Sequence, residues 1–167
     1  MIFTAWADGQ FDLAGRQVRC ALGRGGVRAA ADKREGDGAT PLGVWPLRRV
    51  MYRPDRLEAP VSRLPLQALK PDDGWCDDPA DARYNRPVRL PFAAGCEPMW
   101  RPDPLYDLVV VLGHNDDPPV PGLGSAIFLH LARDGYGPTE GCVALDRANL
   151  LEVVRRAEPG SALAVAE

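Results

Sequence analysis

Short runs that alternate apolar and polar residues dominate this chain, and a period of two predicts β-strands. A second kind of run is almost continuously apolar, as in Asp107 to Gly113 (DLVVVLG), and predicts a central strand buried on both faces. Strands are therefore predicted over Ile2 to Trp6, Gln10 to Leu13, Gln17 to Leu22, Gly43 to Tyr52, Asp107 to Gly113, Ser125 to Leu131, Val143 to Leu145 and Ala162 to Ala166.

One segment has helical periodicity. Asp146 is a suitable N-cap, Ala148, Leu150, Leu151 and Val154 form an apolar stripe, and Pro159-Gly160 would end the helix. One helix among many strands predicts a mainly β fold, a sandwich of mixed sheets with one or two packed helices. Pro46 is expected to place its strand at a sheet edge or a bulge.

Residues 54–104 form a long proline-rich insertion in which we expect no regular element. Four aromatic residues inside it are expected to be buried, so the segment is predicted to be ordered and to form one wall of an active-site cleft. Three of its arginines are candidates for binding a substrate carboxylate, with pairing to Asp77, Asp78 and Asp81 as the alternative. These arginines are Arg83, Arg86 and Arg89.

The 167 residues are 46% hydrophobic, enough for a single domain spanning residues 1–167. The net charge of −3 argues against a nucleic-acid partner. The chain has no apolar segment long enough to cross a membrane, and its histidines and cysteines lack the spacing of a metal site, so we expect no metal and no cofactor. The oligomeric state is open.

Candidate chemistry lies between Ser125 and Asp146, where one of two histidines and one of four cysteines occur together. His130 ends a predicted strand, and Cys142 follows Gly141 after a loop rich in glycine and proline. A thiolate attacks carbonyl carbon, and a neighbouring imidazole can remove the thiol proton. Gly141 can turn backbone amides toward an oxyanion. The alternative for Cys142 alone is a buried structural cysteine.

At these residues the chain resembles a known family. Phe128-Leu129-His130, a glycine-containing loop and Thr139-Glu140-Gly141-Cys142-Val143 are similar to the signature of the L,D-transpeptidase (YkuD) catalytic domain. The stretch KREGDGATPLGVWPL, residues 33–47, resembles the family's glycine-rich turn followed by Thr-Pro-x-Gly. The resemblance implies a YkuD-like β-sandwich over one whole domain.

The resemblance also implies roles for individual residues. Cys142 would be the nucleophile, His130 its general base and the Leu131 carbonyl the group that orients His130. The amides of Glu140, Gly141 and Cys142 would form the oxyanion hole. Departures from the family pattern are Thr139 in place of serine, Glu140 where histidine or lysine is common, and Ala144 where many members have arginine. Candidates for substrate binding are Thr139, Arg133, Arg86, Arg83, His114 and Asn115.

The family acts on peptidoglycan stem tetrapeptides at the bond between an L-centred third residue and the terminal D-alanine. We expect an L,D-carboxypeptidase that trims free muropeptides; the alternatives are a crosslinking L,D-transpeptidase and a non-catalytic muropeptide-binding module. A papain-like protease is disfavoured because its cysteine precedes its histidine. The first residues lack the features of a signal peptide, and three cysteines besides Cys142 suit reduced thiols, so we expect a cytoplasmic protein, or a periplasmic one if a leader was trimmed.

Overall fold

The computed structural model describes all residues, Met1–Glu167. Its helix α1 spans Arg147–Arg156, and two short 3-10 turns span Ala30–Asp32 and Asp134–Tyr136. The strands are β1 Ile2–Trp6, β2 Gln10–Leu13, β3 Arg16–Arg19, β4 Val27–Ala29, β5 Thr40–Tyr52, β6 Leu66–Ala68, β7 Asp73–Cys76, β8 Pro87–Arg89, β9 Cys96–Pro98, β10 Leu108–Leu112, β11 Phe128–Leu131, β12 Val143–Leu145 and β13 Ala162–Ala166.

The fold is mainly β, as predicted, with mixed sheets. The larger sheet has the strand order β12-β11-β10-β5-β13-β1-β2-β3, with β4 and β6 also paired to β5. Four pairs of neighbours are parallel, namely β1 with β13, β11 with β12, β4 with β5 and β5 with β6, and the others are antiparallel. A smaller antiparallel sheet has the order β8-β7-β9. No helix is long and apolar enough to span a membrane.

Strand β10 is buried on both faces because it separates two apolar cores. Leu108, Val110 and Leu112 belong to a core that also contains Leu150 and Val153 of α1. The alternate residues of β10 face a second core, which includes Trp75 of the smaller sheet and Met99, the residue after β9. Helix α1 therefore covers one face of the larger sheet, and the smaller sheet covers part of the other.

Helix α1 forms where the sequence predicts it. The Asp146 side chain caps it by accepting a hydrogen bond of 2.9 Å from Asn149 N. Leu150, Val153 and Val154 are fully buried and face the core, whereas Leu151 is half-buried and Ala148, expected in the apolar stripe, is exposed. The helix directly follows β12. Its apolar face packs in the same core as residues of β11 and β12, the two strands that carry the site.

Of the edge or bulge expected at Pro46, the structure shows the bulge, a register shift between Leu47 and Arg49, whereas the prediction that the insertion has no regular element is wrong. Strand β5 is central, and Pro46 lies where its sheet partner changes: Gly43 to Pro46 pair with β13, and Leu47 to Tyr52 pair with β10. The missing amide of Pro46 is tolerated because the register is irregular at this switch. The insertion also contains regular structure, since β6 to β9 fit between its prolines.

Candidate active site

The parallel pairing of β11 with β12 brings the predicted catalytic residues together. His130 pairs with Ala144, and Cys142 lies two residues before Ala144. Because alternate residues of an extended chain face the same side, all three side chains lie on one face of the larger sheet. They line a cavity of about 380 Å³ whose opposite wall comes from the insertion.

The Cys142 thiol is buried and held by the backbone of the strand beside it. Its Sγ donates to Ala126 O at 3.2 Å and accepts from Phe128 N at 3.3 Å, and it makes no hydrogen bond with His130. Burial raises the pKa of the thiol to about 12, and the Glu97 carboxylate acts in the same direction. The thiol is therefore protonated at neutral pH in the resting site.

His130 is fixed by a backbone carbonyl and by an aromatic ring. Its Nδ1 lies 2.8 Å from Leu131 O, so this nitrogen is the protonated one and Nε2 is left as the acceptor. The Tyr106 ring packs edge-on at 5.3 Å between centroids, and the Tyr106 hydroxyl donates to Glu97 Oε1 at 2.6 Å. Burial lowers the pKa of His130 to about 4, which makes the imidazole neutral.

The turn before the cysteine is closed by the Thr139 hydroxyl. Thr139 Oγ1 donates to Cys142 O at 2.6 Å and accepts from Gly141 N at 3.1 Å. Gly141 has a φ of +129°, and a Cβ at this position would lie 2.9 Å from Ala39 O. Glycine is therefore required here for backbone conformation and for space.

This turn occupies one of the three amides that the resemblance assigns to an oxyanion hole. The Gly141 amide already donates to Thr139 Oγ1, so it is not free for a substrate oxygen. The amides of Glu140 and Cys142 donate to no group in the protein. These two amides are the donors that the turn leaves unused.

The segment is also anchored to the first part of the chain. Thr139 N donates to Leu22 O at 2.9 Å, and Arg24 N donates to Thr139 O at 2.8 Å. Ala21 and Ala144 exchange two backbone hydrogen bonds of 2.9 Å. The peptide that carries Cys142 is thus bound on both sides, by β11 and by residues 21–24.

Asn85 connects the insertion to the carbonyl that holds the thiol. Its Oδ1 accepts from Trp75 Nε1 at 2.9 Å and from Ala126 N at 3.0 Å, and its Nδ2 donates to the carbonyls of His114 and Asn115. Ala126 has a φ of +53°, which is uncommon for a residue with a Cβ. The Asn85 hydrogen bond holds Ala126 in this conformation, next to Cys142.

Charged side chains of both signs line the cavity. The Glu35 carboxylate accepts hydrogen bonds from the hydroxyls of Tyr84 and Ser125. Burial raises the pKa values of Asp77 and Glu97, and Coulombic repulsion among the carboxylates adds to the effect. The lining residues with formal charge are Lys33, Glu35, Asp77, Glu97, Arg101, Arg133 and Glu140.

The basic groups of the lining differ in their existing partners. Lys33 Nζ pairs with Asp37 at 2.6 Å, and Arg101 forms a two-pronged pair with Asp103. Arg133 has no acidic partner and donates only to Pro138 O at 3.2 Å. Arg133 is therefore the lining cation with the greatest capacity to bind an anion.

Four of the predicted substrate-binding residues lie outside the cavity: Arg83, Arg86, His114 and Asn115. Arg83 pairs with Asp81, and this ion pair is the alternative that the sequence left open. Its guanidinium also covers the Phe92 ring. Arg89 likewise pairs with Asp72 and Asp73. His114 Nε2 contacts Leu123 O, and the Asn115 amide donates to Val120 O and Gly124 O, so both residues shape their own loop.

The predicted residues Arg133, Thr139 and Glu140 do line the cavity, together with His130 and Cys142. Sequence reasoning missed Asn85, Glu97, Tyr106 and Ala126. No local pattern marks these residues, because each acts through a partner distant in the chain. The available signal was coarse and indirect: the aromatic residues of the insertion include Trp75, which donates to Asn85.

Comparison with protein families gives one direct finding. The family model described as the L,D-transpeptidase catalytic domain (YkuD) matches residues 2–165. No curated protein and no solved structure matches the chain. The family match includes both strands of the site, the turn before Cys142 and the insertion that covers it.

Replacing Thr139 by valine should destabilise the turn. Valine keeps the volume but leaves Gly141 N and Cys142 O without their partner, and we expect the free energy of unfolding to fall by about 1 to 3 kcal/mol. Thr139→Ser keeps the hydroxyl and should cost less. Urea denaturation measures both variants, and equal losses would show that the hydroxyl has no structural role.

The buried His130 should make stability depend on pH. Below its ordinary pKa of 6.5 the unfolded chain binds a proton on this imidazole, whereas the folded protein does not until about pH 4. Stability should therefore be lost as the pH falls from 6.5 to 4, by about 3 kcal/mol from this group. The free energy of unfolding is measured by denaturation of the wild type and of His130→Gln at several pH values. The same pH dependence in both proteins would contradict the prediction.

Proposed function

The chain belongs to the L,D-transpeptidase catalytic-domain (YkuD) family, and we propose that it works as an L,D-carboxypeptidase on peptidoglycan stem tetrapeptides. The bond cleaved would be the one between the L-centred third residue and the terminal D-alanine. The observation that carries the proposal is the buried Cys142 beside His130, whose Nδ1 is bound to Leu131 O.

In the first half-reaction, Cys142 Sγ attacks the carbonyl carbon of the scissile amide. His130 accepts the thiol proton at Nε2, because Nδ1 already carries a proton toward Leu131 O. Both groups are neutral at rest, so proton transfer accompanies the attack on substrate. The same nitrogen then returns the proton to the departing amine of D-alanine.

The developing oxyanion requires hydrogen-bond donors. The amides of Glu140 and Cys142 serve in this role, since neither has a partner within the protein. The Gly141 amide instead holds the turn by donating to Thr139 Oγ1. Collapse of the tetrahedral species releases D-alanine and leaves a thioester on Cys142.

The C-terminal carboxylate of the substrate needs a cation in the cavity. Arg133 suits this role because it lines the cavity and has no acidic partner. A guanidinium can bind a carboxylate with two parallel hydrogen bonds. Arg101 also lines the cavity, but its guanidinium is already paired with Asp103.

Water is the acceptor that we propose for the thioester. A cavity of about 380 Å³ lies near the lower end of the range for sites that hold one small ligand. Such a cavity suits a single donor peptide with water. We propose that the substrate is a free muropeptide and that the enzyme acts during muropeptide recycling in the cytoplasm.

Transfer to an amine is the second candidate, and the carboxylates of the cavity favour it. Glu35, Asp77 and Glu97 would attract an ammonium group. That group could belong to an acceptor amine, which would make the protein a crosslinking transpeptidase of the periplasm. It could equally belong to the side chain of the third stem residue.

Product analysis distinguishes the two reactions. Purified protein is incubated with a muropeptide tetrapeptide, with and without an amine acceptor, and the products are identified by mass spectrometry. We expect tripeptide and free D-alanine in both reactions, and neither with Cys142→Ala. A crosslinked or exchanged product would establish transfer, and no turnover would favour a binding module.

Arg133 should determine the preference for a free C-terminal carboxylate. For Arg133→Gln we expect KM for the tetrapeptide to rise about tenfold or more, from loss of a charge-assisted pair, while kcat changes less. A tetrapeptide with a C-terminal carboxamide should be affected little by the substitution. Arg83→Gln is the matched control, since Arg83 lies outside the cavity. An equal rise for both variants would exclude a specific role for Arg133.

A further inference from the structure

Two of the four cysteines face each other across the smaller sheet. Cys76 ends β7 and Cys96 begins β9, and the antiparallel register pairs them directly. Both are free thiols in the structure, although the sequence shows no close Cys spacing. Residues 77–95 separate them in the chain, so the fold alone makes them neighbours.

The pair occupies the type of position in which two opposed side chains come closest. Cys76 N donates to Arg86 O and Cys76 O accepts from Asn85 N, so both backbone groups of Cys76 point toward β8. The hydrogen bonds between β7 and β9 lie instead at the flanking pairs, as in Asp77 N to Gly95 O. Cys76 and Cys96 are therefore a non-hydrogen-bonded pair, for which Cα atoms are about 4.5 Å apart, within the range for a disulfide.

The two thiols lie on the face of the smaller sheet that points away from the reaction centre. Trp75 and Glu97, the neighbouring pair, face the opposite way: Trp75 packs on Phe128, and Glu97 lines the cavity. Cys142 is therefore on the other side of this sheet. The fourth cysteine, Cys20, lies in the larger sheet's core, with Sγ directed at Gln10 O.

We propose that Cys76 and Cys96 form a reversible cross-strand disulfide when the protein meets a low-molecular-weight disulfide such as oxidised glutathione. Cys96 reacts first, because it is partly exposed whereas Cys76 is fully buried. Its thiolate attacks one sulfur of the oxidant and releases one glutathione thiolate. Cys76 then loses its proton and attacks Cys96 Sγ, which releases the second glutathione. The two protein thiols are oxidised, and the oxidant is reduced to two thiols.

The crosslink would stabilise one wall of the cavity. Asp77 and Glu97 directly follow Cys76 and Cys96, and both line the cavity. A covalent bond between β7 and β9 restricts the unfolded chain and joins the two strands that carry these carboxylates. This role is independent of the reaction proposed at Cys142.

The exchange is tested on the folded 167-residue protein with oxidised glutathione, followed by alkylation and peptide mapping without reductant. In the wild type we expect a Cys76–Cys96 linked peptide that dithiothreitol removes. In Cys76→Ser, Cys96 should keep a glutathione adduct, whereas in Cys96→Ser the buried Cys76 should stay free. Cys20→Ser is the matched control and should form the same link as the wild type.

Thermal unfolding provides a second readout. The oxidised wild type and Cys20→Ser should gain about 5 to 10 °C in Tm, and the two serine variants at the pair should gain nothing. Free thiols at both positions, or a lasting glutathione adduct on Cys96 of the folded wild type, would overturn the proposal. A link from either cysteine to Cys142 would overturn it as well.

Discussion

The parallel pairing of β11 with β12 is the constraint on which the site depends. Parallel neighbours usually need a crossover of a dozen or more residues, yet here residues 132–142 make the connection around one short 3-10 turn. The turn closes because the Thr139 hydroxyl hydrogen-bonds both Cys142 O and Gly141 N. It also requires glycine at position 141, because a Cβ there would meet Ala39 O. The result places Cys142 and His130 on one face, under the wall formed by the insertion.

Burial then determines the chemistry of this pair. It raises the pKa of Cys142 and lowers that of His130, so the resting site holds a neutral thiol and a neutral imidazole. A neutral thiol is a poor nucleophile, which protects it from solution electrophiles. In the proposed mechanism, reaction requires a bound substrate carbonyl. As the oxyanion forms, it accepts hydrogen bonds from the amides of Glu140 and Cys142.

Much of this arrangement could be predicted from local sequence. The alternation of β1 and β2, the apolar run of β10 and the Asp146 cap are local signals, and each element forms where expected. His130 and Cys142 could be located because their motif is contiguous. The strands of the insertion, the Asn85 contacts and the Cys76–Cys96 register could not, because they depend on pairing between distant residues. Arg83 lies outside the cavity and pairs with Asp81, because composition does not show which acid an arginine meets.

In the proposed mechanism, Cys142 carries the acyl group during turnover. Acid quenching during reaction with a tetrapeptide, followed by peptide mapping, measures this directly. We expect a tripeptide attached to the peptide that contains Cys142, and in Cys142→Ala we expect neither the adduct nor release of D-alanine. D-alanine release by Cys142→Ala at the wild-type rate, or an adduct on another residue, would contradict it.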